Sequence, residues 1–142
     1  MIFKRLNRTS PEQVFAVFSG GEAGIAADDA VQLQTASANG VNLEQPTTSP
    51  ALQLTVGIAD AAIGSGAYGL VQIYGYRSTS RVLLTGASIT PGGTLALVAD
   101  QDYLETAASV AKGLLPVFAA VDSFASSGTT ATASGKIFIR CM

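Results

Sequence analysis

Apolar residues along this chain fall in short alternating runs separated by Gly, Ser, Thr and Asn, with no sustained helical period. The fullest run is residues 67–76, Ala-Tyr-Gly-Leu-Val-Gln-Ile-Tyr-Gly-Tyr, in which Val71 and Ile73 are β-branched, Tyr68, Tyr74 and Tyr76 are aromatic, and no charge appears before Arg77. Such a segment suits a pleated, largely covered surface. Gly69 and Gly75 would each cost a helix about 1 kcal/mol relative to Ala, whereas in a sheet they mark a bulge or a close backbone approach. The pattern therefore predicts a central strand with Val71, Ile73, Tyr74 and Tyr76 in the sheet. Lys136-Ile137-Phe138-Ile139-Arg140 predicts a compact last strand, with Ile137 and Ile139 inside and a charge at each end.

The remaining runs are read in the same way. Ser10-Pro11-Glu12-Gln13 has the form of a helix start, but the β-branched and aromatic run that follows, stopped by Ser19-Gly20-Gly21, predicts a strand over residues 13–18 instead. Residues 52–58 alternate apolar with polar and predict a half-buried strand. Asn39-Gly40 marks a hairpin turn if residues 31–33 and 41–43 are strands. Ser78-Thr79-Ser80 predicts a turn flanked by Arg77 and Arg81, with a returning strand over residues 81–85. Further strands are expected over 94–99 and over 114–121, the latter with Pro116 at an edge or bulge. Residues 103–113 are alanine-rich and predict one short helical turn, and residues 123–135 a surface loop. Seven or so short strands with little helix point to an all-β fold, an antiparallel barrel or sandwich.

One pattern occurs twice. Residues 23–33 and 87–97 each place an Ile (Ile25, Ile89), then turn formers (Asp28-Asp29, Gly92-Gly93), then alternating apolar positions (Val31 and Leu33, Leu95 and Leu97). Either a turn-and-strand unit is duplicated or turn chemistry has converged on the same order.

The length of 142 residues fits one β domain. Charged residues make up 13% and hydrophobic residues 48%; so little charge suggests that part of the surface lies against other protein. The net charge of −2 argues against an electrostatic grip on nucleic acid. No apolar run reaches the roughly 20 residues of a spanning helix, so no membrane is expected. Lys4, Arg5 and Arg8 crowd the start of the chain, and residues 1–10 read either as a basic arm for an acidic partner or as a frayed terminus. No apolar core follows these basic residues in the manner of a secretory leader, so synthesis in the cytoplasm is expected.

Candidate chemistry is sparse. There is no His, which removes Ser-His-Asp and Cys-His catalysis and His-ligated zinc, and the single Cys, Cys141, can form neither an internal disulfide nor a multi-thiolate metal site. Residues 64–69 match G-x-G-x-x-G, but the dinucleotide fingerprint needs a helix after it, and here a strand is predicted. No cofactor is assigned. Asp100 and Asp102 lack the further ligands and glycine of a calcium loop, and as acid and base of a hydrolase they have no supporting constellation. The chain is therefore expected not to be an enzyme.

Taken in order, several landmarks resemble the capsid cement (head decoration) proteins of tailed bacteriophages. They are the basic opening followed by Pro11, Glu12, Val14 and Phe15, the Ile25-x-x-Asp28-Asp29 turn, the Gln72-Ile73-Tyr74-Gly75-Tyr76 strand, the turn and strand from Ile89 to Leu97, and the terminal Lys136 to Arg140. The chain departs from that pattern at Gly93 and Thr94, where an Asp-Leu or Asp-Val pair is common. The resemblance implies a β-tulip-like fold and a virion protein on the outer surface of the head. Its partner would be the major capsid protein, it would self-associate as a homotrimer, and it would reinforce contacts between capsid subunits. Lys4, Arg5, Arg8, Arg77 and Arg81 are then the expected capsid-facing residues. The rival reading is a carbohydrate-binding or fibre-associated β module in which Tyr68, Tyr74, Tyr76 and Tyr103 supply stacking faces.

Overall fold

The computed structural model describes residues 3–6, 13–21, 24–34, 36, 40–46, 54–97, 103–106, 118–126, 128 and 130–141. These form ten strands: β1 (Phe3–Leu6), β2 (Gln13–Gly20), β3 (Ala30–Leu33), β4 (Asn42–Glu44), β5 (Thr55–Ala59), β6 (Tyr68–Thr85), β7 (Thr94–Leu97), β8 (Leu104–Thr106), β9 (Phe118–Ala120) and β10 (Thr130–Arg140). The described residues contain no α-helix. The all-β expectation is met, and the strands belong to one sheet in the order β1-β2-β4-β3-β5-β6-β10-β9-β7-β8.

That sheet closes on itself twice. β2 pairs with β6 as well as with β4, so β2, β4, β3, β5 and the first half of β6 form a ring of ladders. β8 pairs with the second half of β6, completing a second ring with β10, β9 and β7. Each ring encloses an apolar cluster, and Ala30 of β3 and Ile58 of β5 pack with the second one. Ala16, Phe18, Ile25, Val31, Leu43, Ile63 and Val71 fill the first, and Val82, Leu84, Leu95, Leu104, Phe118, Ile137 and Ile139 fill much of the second. Each fully buried Leu, Ile or Phe among them contributes roughly 2 kcal/mol by leaving water.

The second ring repeats the first, pairing for pairing. Gly20 against Leu43 is matched by Val82 against Leu104, both in parallel ladders. Val31 against Gly57 is matched by Leu95 against Phe118, Ile58 against Gln72 by Ala119 against Phe138, and Phe18 against Gly69 by Ser80 against Gly135. The echo between residues 23–33 and 87–97 is thus the visible part of a longer structural repeat. In both turns Ile exchanges backbone hydrogen bonds with a distant partner, Ile25 with Ile63 and Ile89 with Phe124. Asp28 and Gly92 occupy the same left-handed position, at φ 67 and 85. Gly93 therefore makes the turn that Asp29 makes in the first copy, its N–H bonding Thr90 O at 2.9 Å. Close approach at the paired glycines recurs too: a Cβ at Gly69 would sit 2.5 Å from the Ile63 side chain, and one at Gly135 2.6 Å from the Phe124 ring.

β6 is the strand both rings share, and it corrects the sequence reading. Ser78-Thr79-Ser80 is not a turn. Arg77 pairs with Ile137 and Ser80 with Gly135, so Ser78 and Thr79 together face Lys136 in a bulge and the strand runs on. The extra residue resets the alternation, which is why Arg77 and Ser80 are both buried while Ser78 and Thr79 are exposed. Three further corrections follow from pairing that local composition does not announce. Residues 3–6 form an edge strand on β2, so this part of the expected basic arm is sheet. Residues 104–106, expected in a helical turn, are tied into β8 by β6 and β7. Residues 130–135, expected in a loop, extend β10 along β6, where Thr alternating with Ala fits a strand with one wet face. Arg8, the Ser10-Pro11 signal, Asn39, Pro116, Asp100 and Asp102 lie outside the described residues, as do residues 107–113.

At Gly57 the backbone of β5 lies close against β6. Thr55 pairs with Gln32 and Gly57 with Val31, leaving Val56 as the extra residue of a bulge, and a Cβ on Gly57 would lie 2.0 Å from Gln72 O. That neighbour is backbone held by two ladders and has no room to give. Gly57→Ala is expected to destabilise the protein by about 3 kcal/mol. Gly64→Ala, whose Cβ would meet nothing nearer than the Ala67 Cβ at 3.8 Å, should stay within about 0.5 kcal/mol of the parent. Urea unfolding of the two variants side by side checks both.

Candidate functional site

The main polar constellation lies where the first ring's Asp28-Asp29 turn meets β6. Asp28 takes the left-handed conformation, tolerated by Asp because its short side chain can bond locally. Its carboxylate accepts a hydrogen bond from Arg77 Nη2. The same guanidinium reaches Asp60 Oδ1 at 3.4 Å, Gln72 Oε1 at 3.3 Å and Ala59 O at 3.1 Å. Gln72, itself buried, donates to Tyr76 O at 3.0 Å. Arg77 is thus a buried charge with two carboxylates and a carbonyl around it, on the inward phase of β6 that it shares with Ile73 and Gly75.

Asp29 is fully buried. Its Oδ2 accepts the Ala26 N–H at 2.7 Å and Gln45 Nε2 at 3.2 Å, and its Oδ1 accepts Arg81 Nη1 at 3.2 Å. Arg81 also lies 4.4 Å over the Tyr103 ring centroid, a cation–π contact worth about 1 kcal/mol. Arg81 therefore links the turn of the first ring to the lead-in of β8 in the second. The arrangement can neutralise charge and fix two strands relative to a turn. Its donors and acceptors are turned largely toward one another.

These contacts redistribute the residues picked out by sequence. Arg77 is corrected as a capsid-facing residue: only 7% of it is exposed, and its charge is spent within the fold. Arg81 keeps about a third of its side chain exposed while pairing with Asp29. Lys4 and Arg5 lie in β1, opposite Phe15 and Val14. Val71, Ile73, Ile137 and Ile139 are buried, and Tyr74 and Tyr76 are half-buried in β6. Tyr74 packs edge-on against Phe138 with centroids 5.4 Å apart. Among the four tyrosines Tyr68 alone is exposed, at 72%. It pairs with Ser19 beside the Gly64–Gly66 turn, whose Gly66 N–H bonds Gly20 O. The G-x-G-x-x-G segment is this turn, and β6 follows it. Sequence reasoning missed Asp28, Asp29 and Asp60 as partners because they lie 49, 52 and 17 residues from the arginines they hold; the doubled Asp was the only local sign.

Cys141 packs against both apolar clusters, and its N–H bonds Ile73 O at 2.9 Å. Burial pushes its thiol up to about 12 from 9.0, so it is held as the poorly nucleophilic thiol.

Two outcomes are expected. Arg77→Met strands Asp28, Asp60 and the Ala59 carbonyl and should cost about 3 kcal/mol in urea unfolding, with Arg77→Lys intermediate because an ammonium cannot reproduce the fork. Cys141 should resist an aromatic disulfide reagent at pH 8 in the native protein and react at once in denaturant. Because the folded thiol holds its proton more tightly than the unfolded one, its contribution to stability is intact below pH 9.0 and declines as pH rises from there toward about 12.

No protein-family model matches this chain, and no curated protein does so either.

Proposed function

We propose that the protein is a structural virion component, a capsid cement protein that binds the outer surface of a tailed-phage head and braces its major capsid subunits. The observation that carries this reading is the order of five landmarks along one chain. They fall at β1 and β2, the Asp28-Asp29 turn, the first half of β6, the Gly92-Gly93 turn with β7, and the end of β10. The role requires no catalytic group, cofactor or metal. It suits a chain with only 13% charged residues, since a surface that adheres to neighbours needs less charge than a solitary one. It also suits a fold whose buried charges are matched internally, leaving a stiff body to engage several subunits at once. Self-association belongs to the reading; the homotrimer implied by the resemblance is one form of it. The protein would be made in the host cytoplasm and act on the assembled head, without contacting nucleic acid or membrane.

A carbohydrate-binding role is favoured by one observation, the exposure of Tyr68. Tyr74 and Tyr103 already have ring contacts within the fold, which leaves a single stacking face where glycan sites generally use more.

The test is co-sedimentation with empty heads. Parent protein should pellet with them, and replacing Lys4, Arg5 and Arg8 together by Ala should weaken binding about tenfold or more while β1 still pairs through its backbone. Equal binding by the triple variant would remove these residues from the interface. Parent protein that stays in the supernatant with every head tested, or that binds a glycan in a manner lost with Tyr68→Ala, would overturn the cement reading.

A further inference from the structure

β10 has two unlike stretches. Ile137, Phe138 and Ile139 are paired on both sides, by β6 and by β9, whereas residues 130–135 pair only with β6 among the described strands. This open stretch reads Thr-Ala-Thr-Ala-Ser-Gly, with neither charge nor proline, and Thr130, Ala131, Thr132 and Ser134 are exposed. An unpaired strand edge offers a row of free N–H and C=O groups, and proteins that must remain solitary guard such edges with charge, proline or a covering segment. β1, the edge strand at one end of the sheet, carries Lys4 and Arg5. Among the described residues the β10 edge carries no such guard.

We propose that residues 130–135 are a self-recognition edge, pairing antiparallel with the same residues of a second copy about a two-fold axis through Thr132. The sequence is self-complementary in that arrangement: Thr132 faces the partner's Thr132, Ala131 faces the partner's Ala133, and Thr130 faces the partner's Ser134. The two faces of the ribbon are kept distinct. Ala131 and Ala133 stand opposite Leu84 and Val82, which are buried in the second cluster, while Thr130, Thr132 and Ser134 stand opposite Thr85, Leu83 and Arg81. Hydroxyl therefore meets hydroxyl on one face, a favourable cross-strand pair, and alanine meets alanine on the other, a neutral pair that sets no bulk or charge against its copy. Charge selects this edge over β1, because self-pairing of β1 would set Lys4 and Arg5 against their own copies. The five residues that face one another from each copy bury less than a permanent dimer needs, so the pairing is reversible and depends on concentration. The inference specifies the self-association within the cement reading and makes its unit two-fold.

The experiment is sedimentation equilibrium over a wide concentration range, with three proteins. Parent protein should move from monomer to dimer as concentration rises. Thr132→Lys places two like charges opposite each other and should weaken the dimer about tenfold or more, with native circular dichroism and melting temperature retained because the position is exposed. Thr132→Cys, made with Cys141→Ser, should form a dimer through one disulfide under mild oxidation, since facing Cα atoms in an antiparallel pair lie roughly 4.5–5.5 Å apart, within disulfide reach. A parent that stays monomeric up to its solubility limit, a trimer, or a dimer that neither cross-links through Thr132→Cys nor weakens with Thr132→Lys would overturn the proposal. Head binding reads out separately: a strict monomer that pellets with heads removes the two-fold edge and leaves the cement role standing, and a dimer that ignores heads does the reverse.

Discussion

Every other element depends on β6, which is paired along at least one edge for most of its length and along both at Val71, Gln72, Tyr74, Val82 and Leu83. Its first half is held between β2 and β5, and its second between β10 and β8. A strand of 18 residues is well beyond the usual length, and it persists because each half is a wall of a different apolar cluster. Side-chain packing on one face of a strand cannot serve two rings unless the inward direction is reset between them. The bulge at Ser78 and Thr79 makes that reset, so that Arg77 before it and Ser80 after it are both inside.

A buried guanidinium needs compensation, and the fold supplies it from the first ring's turn. Asp28, Asp60 and the Ala59 carbonyl meet Arg77, while Asp29 meets Arg81. Such pairs gain little over an apolar core of equal volume, but breaking one leaves a stranded charge, so they specify an arrangement more than they add stability. Here what they specify is the placement of the first ring's turn on the shared strand. Cys141, touching both clusters from the end of β10, adds an apolar contact at the same seam.

Strand identity was legible in the sequence wherever a run was both apolar and β-branched. Residues 13–18, 67–76 and 136–140 were found because local composition and tertiary role agree there. What was hidden was pairing. Nothing in Ser78-Thr79-Ser80 separates a bulge from a turn, since both take small polar residues, and the choice is made by Ile137 and Gly135 far along the chain. Residues 130–135 look like a loop for the same reason: Thr, Ala, Ser and Gly bury little, and only the β6 ladder makes them a strand. The ion pairs were illegible because charge partners separated by about 50 residues leave no local trace, whereas the turn that carries two of the carboxylates was visible through its echo at Gly92-Gly93.

The two copies of that turn differ in a way that accounts for where the polar seam lies. Gly92 reaches its left-handed φ without steric cost, and its turn closes with backbone bonds to Ala120 and from Ala120 to Gly93. Asp28 adopts the same conformation at a cost of about 1 kcal/mol, closing the equivalent bonds with Ala59, and the cost is offset because a side chain at this position can reach Arg77. Glycine at both turns would leave the rings joined by the shared β6 and by apolar contacts such as those of Cys141, without an ion pair at the seam. Asp-Asp at both would require a second pair of inward arginines, for which the second ring has no shared strand to carry them. One turn of each kind gives a repeat whose halves are locked at a single seam, so the strain of the left-handed aspartate falls where it joins the two rings and nowhere else.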